Sequence, residues 1–327
     1  MNAFFEQNAQ LLGDFARLSQ SVGARRDYVQ GGGGNTSVKL DDRQMAVKAS
    51  GFCLSDITEQ SAYAVMDYSA IRAFYNGNEP AMFEDVEKTG SEQAKAETLH
   101  IEGLTKVRPS VEAGFHSLLG RFVIHSHSVY ADLACCAVEM KQILAVALEG
   151  VDYSWGMVPY IDPGARLSFA IRDEHARVER ETRKIPAVLF MQNHGLIVHE
   201  ETAEKCLALH DAVNARLAAH FGIPADIFMT MNLEEYISSR LQTREYSESF
   251  FREMPLYPDQ MVFFIGTLGF GNEEAQEGEV VLDLNSGAIQ STAGETQTRV
   301  VIETLAAVLF IQEQIVICPH LMGQEQC

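Results

Sequence analysis

The residues of this sequence best suited to chemistry are His125, Ser126 and His127, which close an apolar run over 121–127. Side chains on a strand alternate with a period of two, so both imidazoles project to one face and form a ready-made pair of metal ligands. Taken alone, such a pair is more often two ordinary polar residues at a strand end. Asn193-His194-Gly195 adds a third imidazole at a second strand-to-strand junction, where the glycine permits a tight turn that aims His194 inward. Three histidines from two strand ends match a catalytic zinc site, which keeps a coordination position open for water or substrate. The remaining histidines lack that placement. His116, His210 and His220 fall within helical patterns and read as solvated or satisfied core residues, and His100, His175, His199 and His320 have no partner spacing.

Glu112 opens a helical pattern over 110–119, with Ser110 as its expected N-cap and Gly120 as its terminator. An acid there complements the helix dipole. Beside a metal site it could also hold the metal in the empty enzyme and remove a proton when substrate displaces it. The run Gly31-Gly32-Gly33-Gly34-Asn35-Thr36-Ser37 can bring backbone amides close to an anion. It lacks the ending of a nucleotide loop and leads into a strand where a dinucleotide fingerprint would open a helix. A second small-residue turn, Ala49-Ser50-Gly51, closes the hairpin that the glycine run opens. Together with Ser110 these turns make a ring of neutral donors.

Such a local pocket is what the composition demands. Lys and Arg total 25 against 45 Asp and Glu, a formal charge of −20, which repels nucleic acid and leaves an anionic metabolite to be captured by local donors and a metal. The 327 residues, 46% hydrophobic, suffice for one large domain or two unequal ones. No apolar stretch is long enough to span a membrane and the first ten residues do not read as a signal peptide, so a soluble, cytoplasmic protein is expected. Six cysteines without a C-x-x-C pair read as reduced, mostly buried thiols.

The elements that must position these residues follow from periodicity. Leu11, Phe15, Leu18 and Val22 mark an amphipathic helix over 2–22, and 38–40 with 44–50 read as a hairpin. Further strands are expected at 62–67, 121–127, 187–192 and 196–200, with a helix over 201–221 ended by Gly222. The reading is a layered α/β domain around a mixed or antiparallel sheet, spanning 1–224. Residues 225–327 read as a small α+β extension with a helix near 233–243, strands at 261–266 and 280–284, a turn at 285–287 and a long helix from about 296 to 313.

In the order GGGGNTS (31–37), KASG (48–51), RPSVEAGFH (108–116), IHSHSVY (124–130) and QNHGLIV (192–198), residues 5 to 222 resemble the class II aldolase and adducin-head family, which includes fuculose-phosphate and rhamnulose-phosphate aldolases. The resemblance implies one zinc ion per chain, with His125, His127 and His194 as ligands and Glu112 as the acid–base residue that also ligates zinc in the empty site. It implies a substrate-phosphate pocket of Gly34, Asn35, Ser50, Gly51 and Ser110. Val111 stands where the family usually offers a second hydroxyl. The tyrosine that protonates the leaving group in fuculose-phosphate aldolase has no match, although Tyr153 and Tyr160 lie in the region.

The reaction implied is cleavage or formation of a carbon–carbon bond in a small sugar phosphate, releasing dihydroxyacetone phosphate and an aldehyde. A 4-epimerase or a dehydratase on the same scaffold, and an adducin-like binding module outside the enzyme class, stay open. The partners implied are a small sugar phosphate and further copies of the chain in a homo-oligomer, with a tetramer favoured. Neither nucleic acid nor membrane is expected. The C-terminal extension resembles the end of the aldolase part of longer aldolase–dehydrogenase chains, without any dehydrogenase motif.

Overall fold

The computed structural model describes residues 3–315. Cys318, Cys327 and His320 lie outside the described residues. Seven strands build the main sheet: β1 (Asn35–Lys39), β2 (Gln44–Lys48), β3 (Tyr63–Asp67), β4 (Phe122–Ser126), β5 (Ser154–Val158), β6 (Pro186–Met191) and β7 (Gly195–Glu200). Their order across the sheet is β3-β2-β1-β4-β7-β6-β5. All neighbours are antiparallel except β5 and β6, so the sheet is mixed, as expected.

Both faces of this sheet are covered, and strand alternation sorts side chains between them. Phe122, Ile124, Val188, Phe190, Leu196 and Val198 join one apolar cluster, while Val123, Leu189, Met191 and Ile197 join another on the opposite face. On the first face lie α1 (Ala3–Gly23), α5 (Val129–Cys135), α6 (Met140–Ala147) and α8 (Ala203–His220), which contribute Phe15, Leu133, Leu144 and Leu217 to its cluster. On the second lie α2 (Tyr68–Gly77), α3 (Val86–Ala96), α4 (Ala113–Leu118) and α7 (Ala165–Thr182), through Ile71, Val86, Phe115 and Ile171. The expected helices at 2–22 and 201–221 are thus α1 and α8, and the predicted hairpin is β1–β2.

The C-terminal segment holds α9 (Ile227–Thr230), α10 (Leu233–Thr243), α11 (Glu248–Glu253), α12 (Pro258–Phe264) and α13 (Glu295–Gln314), with a small sheet of β8 (Leu268–Phe270), β9 (Val280–Leu282) and β10 (Ile289–Ser291). It is an α+β extension. Its Phe228, Phe251, Leu305 and Leu309 belong to the same apolar cluster as Phe15, Tyr130 and Leu217. One expectation fails here: residues 261–266 form no strand, and 258–264 are helix α12. Pro258 pre-sets the helical φ at the first position, where a missing N–H costs nothing. Strand β5 and helices α2, α3, α5, α6 and α7 were not anticipated.

Candidate metal centre

The sheet register gathers the candidate residues at one end. Asn35 pairs with His125 and His125 with Ile197. Ser37 pairs with Val47, so the continuation of that register sets Asn35 opposite Ala49, which in turn bridges Pro109. Asn35, Ser50, Ser110 and the ends of β4 and β7 therefore lie along one row, although they are far apart in sequence.

On β4 the period of two sends His125 toward α4, where its ring meets Phe115 edge-on at 5.7 Å, and sends Ser126 to the other face, where its hydroxyl meets His210 Nε2 at 2.7 Å. His127 follows the strand end. His194 sits in the turn between β6 and β7, where Asn193 takes a left-handed φ of 50°, which asparagine tolerates. Gly195 at φ 152° lets this turn approach β4: a Cβ there would lie 2.3 Å from the Ser126 carbonyl oxygen. Any side chain would push the two strand ends apart.

The three imidazoles converge. Their ring centroids lie 4.9, 5.0 and 5.4 Å from one another, and one nitrogen from each falls within 4.8 Å of the others. All are buried: His125 is 0%, His127 5% and His194 1% exposed. His125 Nδ1 is 3.1 Å from the Leu196 carbonyl oxygen, a partner that can only accept. His127 Nδ1 is 2.8 Å from Asp259 Oδ2. With both Nδ1 atoms carrying outward-pointing protons, the two Nε2 lone pairs face each other at 3.1 Å. At that distance the two nitrogens can share a proton or hold a metal ion between them. Two nitrogens on a tetrahedral zinc with ~2.05 Å bonds stand about 3.3 Å apart. Neither ring nitrogen of His194 has a hydrogen-bond partner, an unusual state for a buried imidazole that a metal ligand role would resolve for one of the two. The donor set of three imidazoles and a carboxylate suits a borderline-soft divalent ion. The residues present therefore fit a metal.

Glu112 completes the set. Its Oε1 lies 3.4 Å from His125 Nε2 and 3.3 Å from His194 Nε2; the second contact is an ion-pair distance without hydrogen-bond alignment. The expected N-cap at Ser110 is corrected: helix α4 starts at Ala113 with Glu112 in the cap position and no side-chain cap bond. Ser110 Oγ instead accepts from the Glu112 N–H at 3.2 Å. The Glu112 carboxylate is thereby free of the helix end and turned to the imidazoles. Burial alone would raise its pKa, but His125 and His194 hold it well below the usual carboxylate range. Burial lowers the His127 pKa too, yet Asp259 overrides it and lifts the value to about 9; His194, with burial dominant, falls to about 4.

The anion-pocket candidates are placed less uniformly. Gly34 and Asn35 are buried, and Asn35 Oδ1 has no hydrogen-bond partner. Ser50 and Gly51 are exposed and Ser110 is half-buried. Thr36 and Ser37 turn elsewhere, to Ser19 and His116 at 2.8 Å each. Lys48 Nζ ties the two turns together from beneath, donating to Gly32 O at 3.0 Å and Phe52 O at 2.7 Å. Burial pushes its pKa down. Val111, beside Ser110, is 52% exposed.

Neither Tyr153 nor Tyr160 joins the triad. Tyr160 donates to Asp162 at 2.7 Å. Tyr153 lines a surface cavity of about 660 Å³ together with Trp155 and Arg177, and no residue of the triad or glycine run borders it. Asp259 and Tyr257 were missed by sequence reasoning. Tyr257 packs against the His127 ring at 5.9 Å and gives its hydroxyl proton to Gln30 Oε1 at 3.0 Å.

Comparison with known proteins shows the family. Residues 14–220 match the class II aldolase and adducin N-terminal domain family, and the chain belongs to it. Among solved structures, the N-terminal class II aldolase domain of a conserved protein from Thermoplasma acidophilum is similar at 23% identity and a TM-score of 0.51, over 63% of this chain and 91% of that one. A sugar-phosphate aldolase from Thermotoga maritima is 9% identical over 68% of this chain and 97% of its own, with a TM-score of 0.48. An L-fuculose-1-phosphate aldolase from Thermus thermophilus is 13% identical over 69% and 99%, with a TM-score of 0.39. No curated protein matches the chain. Among the described residues, no helix is long and apolar enough to cross a membrane.

Proposed function

We propose that this chain is a zinc-dependent lyase of the aldolase type, which makes or breaks the carbon–carbon bond beside the carbonyl of a small ketose phosphate. The observation that carries the reading is the approach of the His125 and His127 Nε2 atoms to 3.1 Å, next to an unpartnered His194 and a carboxylate within 3.4 Å. A divalent ion held by His125, His127 and His194 supplies Lewis acidity when bound, polarising the carbonyl and hydroxyl oxygens of the substrate.

Glu112 holds and moves the proton. The neighbouring imidazoles keep it ionised, so its carboxylate accepts a proton from the substrate carbon beside the carbonyl in the condensation direction and returns it after cleavage. Gly34, Asn35, Ser50, Gly51 and Ser110 hold the phosphate, with the Asn35 amide and the Ser50 and Ser110 hydroxyls as donors.

The acid for the leaving group comes from a neighbouring subunit of a homo-oligomer, a tetramer, because Tyr160 and Tyr257 spend their hydroxyl protons on Asp162 and Gln30. Incubation of zinc-loaded protein with dihydroxyacetone phosphate and a panel of aldehydes tests the reading. It should yield a ketose 1-phosphate, and a chelator should abolish the product. A zinc-loaded chain that condenses none of the panel and cleaves no ketose phosphate would overturn the aldolase assignment. Epimerised or dehydrated sugar phosphate would redirect it to the sister reactions.

A further inference from the structure

The family match ends at residue 220, yet residues 256–259 of the C-terminal segment lie against the metal centre. Asp259, 3% exposed, accepts from His127 Nδ1 at 2.8 Å. The Tyr257 ring backs the same imidazole. The Leu256 carbonyl accepts from Asn193 Nδ2 at 3.1 Å in the turn that carries His194, and from the Cys136 thiol at 3.3 Å.

The segment itself is pinned. Gln260 accepts from the Leu256 N–H at 3.0 Å and donates to Phe251 O at 2.9 Å.

The glycine run is shaped to receive it. A Cβ on Gly33 would lie 2.1 Å from Asp259 Oδ2, and one on Gly31 would lie 2.4 Å from Val300 Cγ2 of α13. The Gly31 N–H donates to Glu303 of the same helix at 3.3 Å. Two of the four glycines therefore seat the C-terminal segment, whatever the anion pocket asks of the others.

We propose that Asp259 is a positioning residue of the metal centre, fixing the ring and tautomer of His127 so that Nε2 presents its lone pair, and that residues 225–315 serve the site by delivering it. A carboxylate on the far nitrogen of a metal-bound imidazole orients the ring and strengthens the ligand, and its loss costs roughly 10–100-fold in metal affinity. Asp132 gives the contrast. It is equally buried behind the site, but neither carboxylate oxygen has a hydrogen-bond partner, so it cannot orient a ligand.

The inference rests on the triad being a metal site, and the test separates the two. Zinc affinity of the full chain is measured by competition with a chromophoric chelator, and the His127 Nδ1 proton of the zinc-loaded chain is followed by NMR. The parent chain should bind one zinc and show that proton far downfield, as a bond to a carboxylate requires. Asp259→Ala, and Gly33→Ala, which displaces the carboxylate without deleting it, should each bind zinc about 10–100-fold more weakly and lose the downfield signal. Asp259→Asn keeps the shape and covers the case in which the alanine variant fails to fold. Affinity within about threefold of the parent in Asp259→Asn and Gly33→Ala would overturn the proposal, as would weaker binding with the His127 proton unmoved. A parent chain that binds no zinc would instead sink the metal reading beneath it.

Discussion

Among the described residues, six buried histidines divide into two sets that burial does not distinguish. His116, His199 and His210 are 0%, 5% and 0% exposed, against 0%, 5% and 1% for the triad. Each member of the first set bonds to its own separate neighbour: His116 to the Ser37 hydroxyl at 2.8 Å, His199 to the Gly120 N–H at 3.3 Å, and His210 to the Ser126 hydroxyl at 2.7 Å and to Asn214. Burial pushes the pKa of each down to about 3, so they stay neutral and act as polar core residues. In the triad the Nε2 atoms that His125 and His127 leave over after outward bonding converge with a ring nitrogen of His194. Convergence of unspent lone pairs, and not burial or residue type, marks the site. Adjacent positions of one strand show the difference most sharply, since His125 faces the triad and Ser126 faces His210.

The comparison is broken most severely at the triad. His125→Ala or His194→Ala should reduce zinc affinity by more than the ~100-fold ceiling for loss of an outer ligand partner, with the fold retained by circular dichroism. His210→Ala should do the reverse, keeping one zinc per chain while costing about 2–4 kcal/mol of unfolding free energy in denaturant titration, through an emptied buried site and an abandoned Ser126 hydroxyl. If His210→Ala lost zinc as the triad variants do, the two sets would not be distinct.

Asn35→Ala tests the end of the row that faces substrate. A hydrogen bond to a charged group is worth roughly 1.5–3 kcal/mol. The KM for a phosphorylated donor should therefore rise about 10–100-fold, with a much smaller effect on a donor lacking phosphate. A further effect is on pH. His116, His199 and His210 have folded pKa values of about 3 against about 6.5 unfolded. The unfolded chain thus binds more protons between these values. The stabilisation is fully present above pH ~6.5 and is lost as pH falls toward ~3, by up to about 1.4 kcal/mol per pH unit for each imidazole. Chemical unfolding of the metal-free chain at several pH values would show it, and His210→Ala should flatten the slope by about one proton.

The triad was legible because its chemistry is written in residue type and strand periodicity, whereas Glu112 was singled out by its place at a helix start and by the family resemblance. An H-x-H at a strand end and an N-H-G at a turn need only the sheet to bring them together. The family resemblance, carried by short motifs at loops, was legible for the same reason. Strand β5 was not: it contains Gly156 and has a register irregularity between Ser154 and Trp155, which interrupt the pattern of a β run. The Met261–Gly266 run is apolar without helical spacing, and only Pro258-Asp259 ahead of it signals a helix start. Asp259 was illegible as a site residue because its partner lies 132 residues away, across a contact that only the packing of the C-terminal segment creates. The Gly31–Gly34 run was read for its backbone amides alone, and the need of Gly31 and Gly33 to admit Val300 and Asp259 has no local signature.

The measurement that bears most directly on the proposed chemistry is the exchange of the carbon-bound hydrogen of dihydroxyacetone phosphate with solvent deuterium. It requires the metal ligands, the phosphate pocket and Glu112, and no acceptor aldehyde. The zinc-loaded parent should exchange, the chelated protein should not, and Glu112→Gln should retain zinc while exchanging at least about 100-fold more slowly, the lower bound for general acid–base catalysis. Exchange by Glu112→Gln at the parent rate would contradict the account, leaving Glu112 a helix-terminal acid and the three histidines a metal site without its base.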